Sequence, residues 1–314
     1  MTELLTVKST PVSPLCFGTM QFGGASDFKK SELIFNKCRE VGINFFDTAH
    51  TYNQGRSEEI LGVLSQANRD ELLLGTKAAY DTSATKENIL KSFDESRKRL
   101  NTDFIDILYM HRWDPNVPVQ ETIQCLAELT EKGLVRYIGV SNYAAWQVMK
   151  AKKNAIDLGI SIDVIQPMYS LVKRQAEVEL LPMAEEEKIV VCPYSPLGGG
   201  LLTGKYIKEG IVGRLTNDSR YNKRYAPEWM HQTAEKLLIL SKTYNISPAT
   251  LAVAWVSKNP NITAPIISAK TIDQLQPSLD VLNYKMSDEL YTEVTRLSLS
   301  PAPATDRLEE TYIA

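Results

Sequence analysis

Short apolar runs and amphipathic stretches alternate along this chain eight times, and that alternation restricts the fold more than any single residue. The runs fall at 15–18, 43–47, 72–77, 104–111, 136–140, 163–166, 189–193 and 264–267, each too short for a stable helix. Helical spacing fills 30–40, 57–66, 119–131, 143–157, 173–187 and 228–244; on the first of these Leu33, Ile34, Lys37 and Cys38 are expected to share one side. Thr85 predicts the cap of a helix carrying Ile89, Phe93 and Leu100, and Gly133 suits the end of the helix before it. Ser247-Pro248 opens another helix, and two more are expected at 272–282 and 288–297, before a surface tail from Ser298. Strands joined through helices run parallel. Eight such units with no compositional break favour an α/β chain closed as a (β/α)8 TIM barrel over an open sheet. An N-terminal β-hairpin around Ser9-Thr10-Pro11 and extra C-terminal helices complete the expectation, with residues 1–314 as a single domain.

Composition removes several function classes. With 43% hydrophobic and 23% charged residues and a net charge of -3, the chain gives no reason to expect nucleic acid or an anionic membrane as partner. No apolar run approaches the roughly 18 residues that span a bilayer. The opening MTELLTVKST lacks the pattern of a secretion signal, so a cytoplasmic protein is expected; composition does not set its oligomeric state, for which a monomer is favoured. Four cysteines without CxxC spacing and three histidines argue for buried thiols and no metal site.

In a barrel of this kind the active site lies at the C-terminal strand ends. Three consecutive runs end there in reactive groups. FFDTAHTY closes its run on Asp47 and places Tyr52 in the following loop, LLLGTK closes on Lys77, and FIDILYMH closes on His111. Neighbouring strands lie about 4.8 Å apart, so one small volume would hold an acid, a phenol, an amine and an imidazole. A phenol with a pKa near ~10 is a poor acid at neutral pH, and a nearby ammonium is expected to lower it. Asp47 would hold Lys77 charged, and His111 could donate to the same substrate oxygen, which suits protonation of a developing alkoxide. Taken singly, each has an ordinary reading: a turn residue, a loop aromatic, a solvated lysine, a structural histidine. Their shared position is the argument for chemistry; His50, inside the same run, is expected as a loop residue with a rim contact.

After the seventh run the pattern breaks into YSPLGGGLLTGK, residues 194–205, the densest glycine of the chain. Free backbone N–H groups beside Lys205 suit a pyrophosphate. Gly199 to Lys205 also fits the GxxxxGK of a nucleotide-hydrolysing loop, but Tyr206 stands where that loop needs a Ser or Thr hydroxyl.

Together FFDTAHTY, GRSEEILG (55–62), GTK at Lys77, YMH at His111, GVSN at Asn142 and YSPL at Leu197 resemble the aldo-keto reductases, in order and spacing, from about Leu4 to Tyr284. HRWDP (111–115) is similar to the branch of bacterial and aryl-alcohol-type reductases. The resemblance implies NADPH-dependent reduction of a small carbonyl compound, with NADH as a second candidate. It gives Tyr52 the role of acid and Asp47, Lys77 and His111 supporting roles. It assigns Ser141, Asn142 and Gln166 to the nicotinamide carboxamide and Tyr194 to the ring face, although Ser-Asn after a strand also reads as plain helix capping. It implies further cofactor contacts from Gly18, Thr19, Met20, Asp47, Ser195, Pro196, Leu197, Gly199, Leu201, Gly204 and Lys205. SAKTIDQLQPSL resembles the adenosine-end motif through Ser268, Lys270, Thr271 and Gln274. Ser278 stands where relatives often carry Asn, and Lys270 where Arg is common; a cation at 270 suits a 2′-phosphate. Phe22, Tyr80, Trp113 and Tyr143 are candidates for an apolar pocket over the nicotinamide. The alternative reading is a cofactor-binding regulatory or redox-sensing subunit with little turnover.

Overall fold

The structure, a computed structural model, describes residues 3–207 and 210–310. Eight parallel strands form its centre: β1 (Cys16–Gly18), β2 (Phe45–Asp47), β3 (Leu73–Ala78), β4 (Ile105–Met110), β5 (Val135–Ser141), β6 (Val164–Gln166), β7 (Val190–Val191) and β8 (Ile266–Ile267). Each neighbours the next in sequence, and β1 also pairs with β8. The last seam closes where Thr263 N donates to Val191 O at 2.9 Å and Ile266 N to Pro193 O at 2.8 Å. The expected barrel is therefore what the chain forms.

Around it lie α1 (Phe28–Glu40), α2 (Arg56–Ser65), α3 (Lys86–Arg99), α4 (Val119–Glu131), α5 (Ala145–Asp157) and α6 (Leu180–Glu186). After β7 come two short helices, α7 (Arg214–Asn217) and α8 (Ser219–Arg224), then α9 (Glu228–Tyr244) and α10 (Pro248–Lys258). Beyond β8 lie α11 (Ile272–Leu279) and α12 (Asp288–Thr295). Both ends of α4 and α9 fall where the sequence places them. Two expectations need correction. The helix expected over 173–187 is a 3-10 turn at Gln175–Glu177 followed by α6, because Pro182 has no N–H for the turn before it and belongs in a first turn. On α1 the buried residues are Ser31, Ile34, Phe35 and Cys38, and Leu33 is 53% exposed. Ser31, Ile34, Phe35 and Cys38 recur at i, i+3, i+4 and i+7, the inner stripe of the helix, with Ser31 Oγ donating to the Ser26 carbonyl at 3.2 Å, and Leu33 falls off that stripe.

Strand alternation sorts side chains into two cores. Phe45, Leu73, Ile107, Tyr109, Val164, Val190 and Cys192 point into the barrel, while Phe46, Leu74, Leu108, Met110 and Ile165 pack beneath the helices. Asp47, Lys77, His111 and Gln166 share the parity of the inward set, so the same period of two that fills the barrel aims them at its axis. Tyr109 sits one layer below, opposite Gly139 across the β4–β5 ladder. A Cβ on Gly139 would lie 2.2 Å from the ring, so that ring exists only because its neighbour has no side chain.

The opposite end is plugged. The predicted hairpin forms through Thr6 N to Thr10 O (2.9 Å) and Val12 N to Leu4 O (3.1 Å), and buried Leu4 joins the inner core. Arg136 donates to Thr6 O at 3.3 Å and to buried Asp106 at 2.5 Å, tying the plug to the start of β4. Among the described residues no helix is long and apolar enough to cross a membrane.

Candidate active site

Asp47 ends β2, Lys77 lies near the end of β3, and His111 follows β4 directly. Lys77 Nζ, almost fully buried, donates to Asp47 Oδ2 at 2.5 Å, to the Thr48 carbonyl at 2.6 Å and to the Tyr52 hydroxyl at 3.5 Å. It also lies 5.0 Å from the Tyr52 ring centre, and that ring meets the His111 ring edge-on at 6.1 Å. The four expected groups are thus neighbours, with Lys77 at their centre.

Burial alone would lower the Lys77 ammonium, but the charges of Asp47 and Tyr52 and their hydrogen bonds outweigh it, and the group is raised. Asp47 is pushed up by burial, opposed by Lys77 and by the amide of Gln166, which donates to Asp47 Oδ1 at 2.9 Å. Tyr52 corrects an expectation. Desolvation at its hydroxyl outweighs the Lys77 charge, and the phenol is raised rather than lowered. It therefore stays protonated at neutral pH, while Lys77 reduces the cost of any phenolate that forms. His111 is lowered to about 3 by burial, then by the charges of Lys77 and Arg112, so its ring is neutral. Its buried Nδ1 has no hydrogen-bond partner among the described residues.

From Asp47 a chain of polar groups crosses the rim. The Gln166 backbone carbonyl accepts from Ser141 Oγ (3.0 Å), Ser141 Oγ accepts from Asn142 Nδ2 (3.1 Å), and Asn142 Oδ1 accepts from the Tyr194 hydroxyl (2.6 Å). Asn142 also donates to the His111 carbonyl at 2.9 Å, from a left-handed backbone (φ 57°) that Asn tolerates better than most residues. The capping alternative for Ser141-Asn142 is not what forms, since α5 starts after Ala144, whose N–H donates to Gln147 Oε1 at 2.7 Å.

The other candidates sit on three patches. Gly18 ends β1; Thr19 is fully buried, donating to the Asp47 carbonyl and meeting Ser57 Oγ at 2.8 Å; the Met20 carbonyl accepts from Asn53. Beyond β7, Ser195 is left-handed (φ 61°), Pro196 is buried and Leu197 half-buried. Gly198, Gly199 and Gly200 follow with φ of 56°, 66° and 94°, a run only glycine adopts freely. A Cβ on Gly200 would lie 3.4 Å from Lys205 Nζ, so this lysine faces the glycine turn; Gly204 (φ 76°) precedes it, and Leu201 points into the core. A 3-10 turn, Lys205–Ile207, follows, with none of the helix that a nucleotide-hydrolysing loop requires. On the third patch Ser268, Lys270, Thr271 and Gln274 line an exposed edge at the start of α11, where Thr271 Oγ1 accepts from Gln274 N. Ser278 is 2% exposed on the inner side of α11 and does not share that edge.

Of the pocket candidates, Phe22 is fully buried against Phe17, and Tyr143 is nearly so. The Tyr80 ring lies tilted at 45° and 4.6 Å from that of His111, with the Arg112 guanidinium 5.3 Å from it, and Trp113 meets Tyr143 and exposed Trp146 edge-on. The sequence missed Glu58, fully buried beneath the Tyr52 loop, and its partner Arg99. Their link joins positions too distant along the chain for any spacing to signal. Among the described residues no group of three or more His, Cys, Asp or Glu is placed to hold a metal ion.

Residues 14–298 match the model of the Aldo/keto reductase family. Relatives include the uncharacterized oxidoreductase YrpG of Bacillus subtilis, 32% identical with 94% of each chain covered. A probable voltage-gated potassium channel subunit beta of Arabidopsis thaliana is 32% identical over 87% of this chain and 88% of its own. The L-glyceraldehyde 3-phosphate reductase of Escherichia coli is 30% identical over 83% and 81%.

Proposed function

The chain belongs to the aldo/keto reductase family, and on that premise we propose that it is an NADPH-dependent reductase of aldehydes or ketones, with Tyr52 as the proton donor. One observation carries the reading: a buried ammonium, Lys77, contacts both the Asp47 carboxylate and the Tyr52 hydroxyl beside a neutral imidazole. The residues present fit a dinucleotide laid across the rim. The left-handed glycine turn, free of side chains beside exposed Lys205, lets a pyrophosphate approach its backbone, and exposed Lys270 offers a cation at the far edge. The bound nicotinamide would supply the hydride.

The protein's part is proton delivery and orientation. Tyr52 holds its proton until charge develops on the substrate oxygen, because burial keeps the phenol above its ordinary range. As that charge grows, the Tyr52 proton moves to it and Lys77 stabilises the phenolate left behind. Asp47 keeps Lys77 cationic and pointed at Tyr52, and neutral His111 can donate to the same oxygen without competing for the proton. Tyr80 and Trp113, the half-buried members of the predicted pocket, flank the approach.

Replacing Tyr52 with Phe should lower kcat by roughly 10²–10⁴ while leaving NADPH binding intact. Wild-type turnover in that variant would sink the assignment. The plant relatives named as channel subunits support a second reading, a regulatory subunit that binds the cofactor with little turnover. Steady-state NADPH consumption across a panel of aldehydes separates the two.

A further inference from the structure

The loop that carries Tyr52 is held in an improbable backbone, and its own tyrosine does little to keep it there. Asn53, Gln54 and Gly55 are left-handed in succession, with φ of 50°, 59° and 91°, and two of the three are not glycine. Such conformations persist only where the surroundings over-determine them. The Tyr52 hydroxyl offers only the 3.5 Å contact with Lys77. On one side Asn53 Nδ2 donates to the carbonyls of Met20 (2.9 Å) and Phe22 (2.7 Å).

The other side is held by a guanidinium. Arg99 Nη1 donates to the His50 carbonyl at 3.1 Å and to Glu58 Oε2 at 3.2 Å, and Nη2 reaches Glu95 at 3.4 Å. Glu95 in turn meets His50 Nε2 at 2.7 Å. The other Glu58 oxygen accepts from the hydroxyl of Thr76 at 2.6 Å, the residue before Lys77. One fully buried carboxylate therefore ties the Lys77 strand directly, and the Tyr52 loop through Arg99. Gly55 shows how close the fit is: a Cβ there would lie 2.5 Å from Arg99 Cζ.

We propose that Arg99, acting with Glu58, is a positioning residue that fixes the Tyr52 hydroxyl relative to Lys77. The inference rests on Tyr52 being the proton donor. A planar fork with five donors can serve a carbonyl and two carboxylates at once, whereas a lysine at the same place keeps the charge for Glu58 but loses the fork. Misplacing a reacting group by about 1 Å can cost on the order of 10²-fold in rate.

The test uses four variants of the full chain. Arg99→Lys leaves Glu58 paired, and Arg99→Gln combined with Glu58→Gln removes both charges together, so neither strands a buried ion. Arg99→Ala is assayed with and without millimolar guanidinium, and Tyr52→Phe runs alongside. The expected result for the first two, once shown folded by urea midpoint, is a fall in kcat of about 10–100-fold with KM and NADPH affinity little changed. Guanidinium should restore part of the loss in Arg99→Ala. Wild-type kcat in a folded variant would overturn the proposal, as would a parallel loss of turnover and cofactor affinity. Should Tyr52→Phe itself turn over normally, the reading of Tyr52 fails instead, and the positioning role with it.

Discussion

Acidification should weaken this protein through His111 before most carboxylates contribute. The imidazole is 8% exposed and lowered from 6.5 to about 3, chiefly by burial and then by Lys77 and Arg112. In the unfolded chain it takes a proton as the pH falls through about 6.5, while the folded protein refuses one until near 3. Across that window the unfolded state binds more protons, so stability falls as pH falls. One unit is worth about 1.4 kcal/mol, so at about pH 4.5, two units into the window, the loss should be on the order of 2–3 kcal/mol. Carboxylates with lowered pKa, such as Glu95 and Glu128, add a loss of the same sign at lower pH. They are common to a His111→Gln variant, so the difference between the two proteins isolates the imidazole. Urea midpoints of both, measured near neutrality and at about pH 4.5, should show wild type losing more stability than the variant by that amount. Equal losses would refute a buried, neutral His111, and with it the account of how the ring donates to substrate.

Gly139→Ala should destabilise by about 1–3 kcal/mol, because the added methyl meets the Tyr109 ring at 2.2 Å. Tyr109→Leu in the same chain should recover much of the urea midpoint, and failure to do so would place the strain elsewhere. Lys270→Ala should weaken NADPH roughly tenfold while sparing NADH, measured by titration of nucleotide fluorescence. Equal weakening of both would remove the case for 2′-phosphate recognition at this edge.

Strand order and the ends of β2, β3 and β4 were legible because a period of two fixes direction once burial is known. Asp47, Lys77 and His111 inherit their aim from Phe45, Leu73 and Tyr109. Electrostatic direction was less legible. The ammonium beside Tyr52 can be read from the sequence, but the desolvation that outweighs it depends on how closely the loop packs. Phe22 illustrates the same limit: an aromatic near the rim goes to the pocket or the core according to its neighbour, and here Phe17 took it inward. Pro182 was a missed signal, since a proline inside an expected helix marks a first turn. The Glu58–Arg99 latch left no local trace, because each residue alone reads as an ordinary charge on a helix.

The seam between the first and last strands also has a temporal side. Cys16 pairs with Phe45 on one side and with Ile266 on the other, so β1 leaves the ribosome among the first elements and gains its second neighbour nearly last. A nascent chain halted before β8 would already contain Asp47, Tyr52, Lys77 and His111, yet it would present two open sheet edges to the cell. The residues that remove those edges lead directly into the exposed Lys270 edge. Completing the ring and creating the far end of the proposed nucleotide path would therefore be one event in the life of the chain, and a truncation before Ile266 would forfeit both.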